Sequence, residues 1–297
     1  MIRRTFQLVR GVGPWREKDL WARGYLSWDD FPAEGGPIAV SAKLDPKLRE
    51  AIDKAQAAYE TADLRRLAAL FPAREHWRFY AHFRDRAVYF DIEAEGGDPF
   101  RPTVVSLFDD SGLRAFVRGR NLEECPRALG ERELWVTFNG SSFDVPVLRR
   151  EFPQLPQPAV HLDLRHLTRR VELSGGLKRI EDAVGIARPA HLKGVDGYDA
   201  VLLWRAYKHA GRLDALRMLV EYNLYDAFQL RPLAETCYNR MLDRWVMGDA
   251  RLPVLDRGEL LYDVSKIILG ISPTAADRAL LDRLRSQDRD ISADRHG

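Results

Sequence analysis

Cysteine is almost absent from this chain. Its 297 residues include two, Cys125 and Cys237, each in a stretch with helical spacing and neither paired at the C-x-x-C distance. That excludes a disulfide framework and a zinc ribbon, and it suits a reducing cytoplasm in which both behave as small apolar residues. Long apolar runs are missing too. No stretch approaches the roughly 18 residues of a membrane span, and the N-terminus has neither an h-region nor a cleavage site, so no membrane or secretion segment is expected. His161, His166 and His191 lack the mutual spacing of a zinc site. Charge of one sign is also lacking: 46 Lys and Arg stand against 44 Asp and Glu, a formal net charge of +2. No overall field therefore calls for nucleic acid, and any such contact must come from local groups.

What is present is an ordinary soluble composition, 45% hydrophobic and 30% charged, long enough to bury a sizeable core. Within it, RAVYFDIEA at 86–94 alternates apolar Val88, Phe90 and Ile92 with Tyr89, Asp91 and Glu93. This is the pattern of a two-faced β-strand. Asp91 and Glu93 then share one face about 7 Å apart. Two carboxylates on one face of a mostly apolar strand repel each other and are costly to bury, and a divalent cation between them removes both problems.

Around this strand the chain divides into three parts. Residues 1–80 are expected to form a helical N-terminal segment. Gly11 and Gly13 open a short helix through Leu20 and Trp21, and the first 25 residues are locally basic. Two readings stand: a hairpin presenting backbone N–H groups to phosphate, as in helix-hairpin-helix proteins, or a cap packing Trp15, Trp21, Trp28 and Phe31 on the main domain. A helix is expected over 46–70. Residues 81–245 carry the α/β pattern. TVVSLF (103–108) and LRAFVR (113–118) form a hairpin across Asp109–Gly112, followed by a helix near 121–131 and a buried strand, LWVTF, at 134–138. Helices at 143–152 and 176–185 flank a strand at 159–164. Three antiparallel-type strands followed by alternating helix and strand make a mixed sheet flanked by helices. In the helical stretch 213–242, Pro232 must end, kink or restart the helix. Beyond 246, one further docked helix and a frayed tail are expected.

Two more acidic pieces lie downstream. FNGSSFDVP (138–146) follows the buried strand and opens a helix, where functional groups of open α/β sheets gather. Taken alone, Asp144 reads as a cap and Asn139 as a turn residue. In EYNLYD (221–226), Tyr222 and Asp226 share a helix face, which a structural Tyr–Asp hydrogen bond would also satisfy. Together, Asp91, Glu93, Asp144 and Asp226 make a four-acid cage suited to two hard ions, Mg²⁺ or Mn²⁺.

With these motifs in order, D-x-E, N-x-x-x-F-D and Y-x-x-x-D, the chain resembles the ribonuclease H-like exonucleases with four acidic ligands, and among them the YprB-type bacterial family. TFNGSSFDVPVL also looks like the corresponding segment of B-family DNA polymerase proofreading domains. The YprB-type likeness extends to GVGPWREKDLWARGYLSWDDF, HLDLRHL, GGLKRIEDAVGI, DGYDAVLLW and YNLYDAFQL, most of residues 1–235. The resemblance implies a ribonuclease H-like sheet with the D-x-E strand at its centre and 3′-to-5′ exonuclease chemistry on the 3′ end of DNA or RNA. It also implies that Tyr222 stands where a histidine stands in the sister group. Asp91, Glu93, Asp144 and Asp226 are expected to hold metal, with Glu93 also orienting water and Tyr222 hydrogen-bonding the water or the scissile phosphate. Asn139 either holds the terminal sugar or braces its turn, and Lys178, after Gly175-Gly176, is a candidate phosphate contact. Asp163 and Asp199 are expected to cap or support. A binding module that recruits without cutting and an RNase H-type endonuclease are the alternatives.

Overall fold

The computed structural model describes residues 1–97, 99–186, 188–245, 251–255, 267 and 278–294. Five strands form one mixed sheet: β1 (Ala87–Glu95), β2 (Arg101–Asp109), β3 (Gly112–Val117), β4 (Leu134–Thr137) and β5 (Val160–Asp163), in the order β3-β2-β1-β4-β5. β1, β2 and β3 are an antiparallel meander whose β2–β3 turn pairs Asp109 with Gly112. β4 and β5 run parallel to β1. The acidic strand is therefore central, and the α/β class expected from the sequence is the one observed.

The helices are α1 (Pro14–Ala22), α2 (Asp45–Glu60), α3 (Leu64–Leu70), α4 (Cys125–Gly130), α5 (Asp144–Glu151), α6 (Leu164–Arg170), α7 (Leu177–Ala183), α8 (Gly197–Ala210), α9 (Leu213–Arg244) and α10 (Arg278–Asp294). On one face of β1, Val88, Phe90 and Ile92 pack with Trp135, Leu129 and Leu148 against α4 and α5. Each such side chain contributes about 1.5–3 kcal/mol on full burial, enough to hold the strand while its other face carries two carboxylates. On that other face Ala87 and Tyr89 pack with Leu230, Leu233 and Cys237 of α9. The first half of α9 covers Val104, Ala115 and Val117 through Leu216, Leu219 and Val220. One long helix thus crosses the acid-bearing face of the sheet.

Three local expectations change. The single helix over 46–70 is two helices, because Ala62 adopts a positive φ of 49° and Asp63 caps α3 by accepting the Arg66 N–H at 2.9 Å. The helix end was written in Thr61-Ala62-Asp63 as a cap signal. Pro232 neither ends nor restarts the helix, and α9 runs unbroken through it. The tail expected to fray is helical over Arg278–Asp294, where Leu280 and Leu281 are buried with Leu203 and Trp204 of α8, and Arg285 donates to both Asp199 oxygens. The docked helix expected near 250–273 lies mostly outside the described residues.

The N-terminal helices share one apolar cluster with the sheet, through Phe6, Leu20, Trp28 and Leu48. Trp28 donates its ring N–H to the Thr5 carbonyl at 2.7 Å, and Trp21 donates to that of Arg4. Trp15 does not join them and is 78% exposed. Glu17, fully buried, accepts from Phe6 N, Gln7 Nε2 and Arg78 Nη2, which bolts α1 to the 3₁₀ turn ahead of β1. Among the described residues no helix is long and apolar enough to cross a membrane.

Candidate active site

β1 pairs with β4 only as far as Tyr89 and Val136. Beyond that point β1 has no β4 partner, and its backbone must find other groups. The loop after β4 supplies one. Asn139 takes a left-handed conformation (φ 66°), and Gly140 passes so close to Thr137 that an added Cβ would sit 2.3 Å from the threonine Oγ1. Only glycine fits there. The turn delivers Asp144 to the first position of α5, where its carboxylate accepts the Ile92 N–H. The N-cap of α5 is Phe143, with no side-chain cap, so Asp144 is turned toward β1.

Asp91 and Glu93 face α9, and one oxygen each from Asp91, Glu93 and Asp226 lie within 4.8 Å of one another. The β1–β2 register shifts between Glu93 and Ala94, where Thr103 of β2 has no partner on β1. Glu95, two residues further along β1 than Glu93, accepts from Trp204 Nε1 and Lys208 Nζ on α8. α9 brings Tyr222, Asn223 and Asp226 on one face. Asn223, fully buried, donates Nδ2 to Asp91 Oδ2 at 2.7 Å across 132 positions of sequence.

The electrostatics are those of crowded acids. Burial first, then Asp226, Asp144 and Glu93, pushes the Asp91 carboxyl well above the usual carboxylate range. Burial and then Asp226 do the same to Glu93, which Lys178 partly offsets. Asp144 is raised to about 7, chiefly by burial, although its own and the Ile92 backbone N–H pull it down. Burial followed by Asp226, Glu93 and Asp91 moves the Tyr222 phenol far upward, so it stays protonated at any working pH. These shifts are what buried carboxylates undergo beside other acids when no cation neutralises them. Oxygen-only donors at this spacing fit hard divalent ions.

The structure therefore gathers Asp91, Glu93, Asp144, Tyr222 and Asp226 at one place. Lys178 is there as well: its Nζ lies 4.8 Å from the Tyr222 ring centroid and donates to the Val195 carbonyl. Asn139 is braced. Its N–H donates to Asp163 at 2.8 Å and its side-chain oxygen accepts from Arg165. Asp163 also takes the Ser141 and Arg165 N–H groups, and Asp199 forms a capping box with Asp196, so both spare acids support rather than join the cluster. Three site residues escaped sequence reasoning: Asn223, Glu181 and Arg188. Asn223 was legible in principle, three positions before Asp226 on the same helix face. Glu181 lies in GGLKRIEDAVGI, on the helix of Lys178, but neither it nor Arg188 has a spacing that ties it to the acids.

A central acidic strand in the order β3-β2-β1-β4-β5, flanked by helices on both faces, defines a ribonuclease H-like α/β fold. The chain belongs to that family: residues 88–238, just over half of it, match the family described as the RNase_H superfamily. No curated protein matches the sequence. Solved structures similar to it include the family B DNA polymerase of Pyrobaculum calidifontis, at 15% identity and a TM-score of 0.39, covering 55% of this chain and 29% of the polymerase. Brucella melitensis NrnC with bound Mg²⁺ is 21% identical, with a TM-score of 0.38 and coverage of 57% of this chain and 79% of NrnC. The Aedes aegypti Nibbler EXO domain is 14% identical, with a TM-score of 0.34 and coverage of 57% and 86%.

Proposed function

We propose that this protein is a two-metal-ion 3′-to-5′ exonuclease of the YprB type, hydrolysing phosphodiester bonds from the 3′ end of DNA or RNA. The observation that carries the reading is the convergence of Asp91, Glu93 and Asp226 within 4.8 Å, from a central strand and a helix far apart in sequence. Asp144 is not among those three; its charge adds to the rise of the Asp91 carboxyl, and this reading takes it as the fourth acid.

Asp91, Glu93, Asp144 and Asp226 would hold Mg²⁺ or Mn²⁺. Such a pair of ions supplies a water of lowered pKa and charge stabilisation at the leaving oxygen. The side chains do the remaining work. Asn223 fixes the rotamer of Asp91 through its 2.7 Å hydrogen bond. Glu93 orients the attacking water. Tyr222 donates its hydroxyl hydrogen to that water or to the scissile phosphate, and its raised pKa excludes a role as base. Lys178 meets substrate phosphate beside Tyr222, and Asn139 contacts the terminal sugar from its braced turn. In this reading residues 81–245 are the exonuclease domain and residues 1–80 an accessory nucleic-acid contact, with Trp15 and its basic neighbours outermost. Beyond residue 245, α10 is an extension docked on α8.

The test is a gel assay of 3′- and 5′-labelled single- and double-stranded DNA and RNA with Mg²⁺ or Mn²⁺. Stepwise loss from the 3′ end, stopped by chelator, is expected. Opening of a circular substrate would show an RNase H-type endonuclease instead, and binding without cleavage a recruitment module.

A further inference from the structure

One guanidinium is built into the acid cluster, and part of it is unused. The Arg188 side chain is 6% exposed. Its Nε donates to Glu181 Oε2 at 2.7 Å and its Nη2 to Glu181 Oε1 at 2.9 Å. Nη2 also donates to Asp226 Oδ1, and Cζ lies 5.8 Å from the Tyr222 ring centroid. The Glu181 carboxylate is itself buried and does not reach the acid cluster's shared centre. It holds the arginine. Burial works against the charge on Arg188, but Asp226 and Glu181 more than offset it, so the group stays cationic.

A guanidinium is planar, with five N–H donors in a fixed fork. The Nε–Nη2 edge lies on Glu181, and the next edge, Nη2–Nη1, faces Asp226. Planarity makes one Nη1–H run parallel to the Nη2–H that Asp226 accepts. Nη1 is therefore directed at the flank of the cluster. It is buried and has no hydrogen-bond partner among the described residues. A buried donor on a charged group left unpaired costs about 1–3 kcal/mol or more, and folded proteins seldom leave one without a ligand or water to take it. Lys178, an ammonium on a flexible stem whose Nζ donates to Val195, presents a point charge rather than a fixed fork. The acceptor best matched to an arginine fork beside metal-binding carboxylates is an anionic phosphate oxygen.

We propose that Arg188 binds a non-bridging oxygen of the substrate phosphodiester through Nη1, with Glu181 as the positioning residue that holds the fork. This rests on the nuclease reading above. Nη1 is covered in the free protein, so the contact forms as the bound strand displaces what lies over it, while Glu181 keeps the fork oriented.

The experiment is equilibrium binding of a short fluorescein-labelled oligothymidylate across a salt series, with Ca²⁺ in place of the catalytic ion. Arg188→Gln should weaken binding by about tenfold or more. It should also lower the slope of log affinity against log salt by about 0.7, the value for one phosphate contact on a single strand. Arg188→Lys should restore the slope and only part of the affinity. The paired variant Glu181→Gln with Arg188→Gln leaves no lone buried charge on Glu181 and should show the same loss of slope, so the test survives if the single variant fails to fold. In every variant the rise in Tm on adding Mn²⁺ should persist, because the acids are untouched. A folded Arg188 variant lacking the charge but keeping the wild-type slope overturns the proposal and leaves a water on Nη1. A wild-type protein that binds no oligonucleotide overturns the nuclease reading, and this one with it.

Discussion

Asp144→Asn should make the metal-free protein more stable at pH 8, the opposite of what loss of a helix cap would do. The Asp144 carboxyl is raised from 3.8 to about 7. At 1.36 kcal/mol per pH unit, keeping it ionised in the folded protein above pH 7 costs about 4 kcal/mol. Asparagine is nearly isosteric and neutral, and its side-chain oxygen can still accept the Ile92 N–H. We expect a gain of about 2–4 kcal/mol, which for a domain of this size is roughly 5–15 °C in Tm. The sign with pH follows from the raised value. Below 3.8 the carboxyl is protonated in both folded and unfolded chains and the penalty is absent. As pH rises toward 7 the unfolded chain releases the proton first, and the wild type loses stability that the variant keeps. His76 and His161, whose pKa values burial lowers, destabilise both proteins alike as pH falls below 6.5, so the readout is the difference in Tm between them. Melts in EDTA from pH 4 to 8, then with added Mn²⁺, provide the assay. A cation at a hundred times its Kd should stabilise the wild type by about 2.7 kcal/mol, and the variant by much less. If Asp144→Asn melts lower than wild type in EDTA at pH 8, or keeps the full Mn²⁺ response, Asp144 is not part of the cage.

Asp91→Ala and Asp226→Ala should abolish cleavage, with far-UV circular dichroism unchanged; undiminished degradation by either would remove it from the site. Tyr222→Phe should lower kcat by about tenfold to a hundredfold, the worth of a hydrogen bond to a charged group, and leave the alkaline limb of the pH–rate profile where it was. Movement of that limb would mean the phenol titrates after all. Glu17→Ala, far from the acids, leaves the buried Arg78 with Glu75 as its one carboxylate and takes the acceptor from Phe6 N and Gln7 Nε2, and should cost about 3–5 kcal/mol in urea unfolding. A loss under about 1 kcal/mol would show that the bolt between α1 and the core is redundant.

Within a single element, the sequence alone settled which side chains share a face. The strand period put Asp91 and Glu93 together, and the helix period put Tyr222 with Asp226, because backbone geometry fixes those relations wherever the element lies. Motif order carried the family resemblance, and the turn at Asp109–Gly112 carried the hairpin. Relations between elements were decided only by packing. Glu95 continues the D-x-E pattern in sequence, yet Trp204 and Lys208 of α8 take its carboxylate. Asn139 reads in sequence as a turn brace or a sugar contact, and the bonds to Asp163 and Arg165 that hold its turn come from packing. Arg188, held by Glu181, reaches Asp226 because α7 and the segment after it dock beside α9, a contact that depends on the buried surfaces of both and leaves no period in the chain to read.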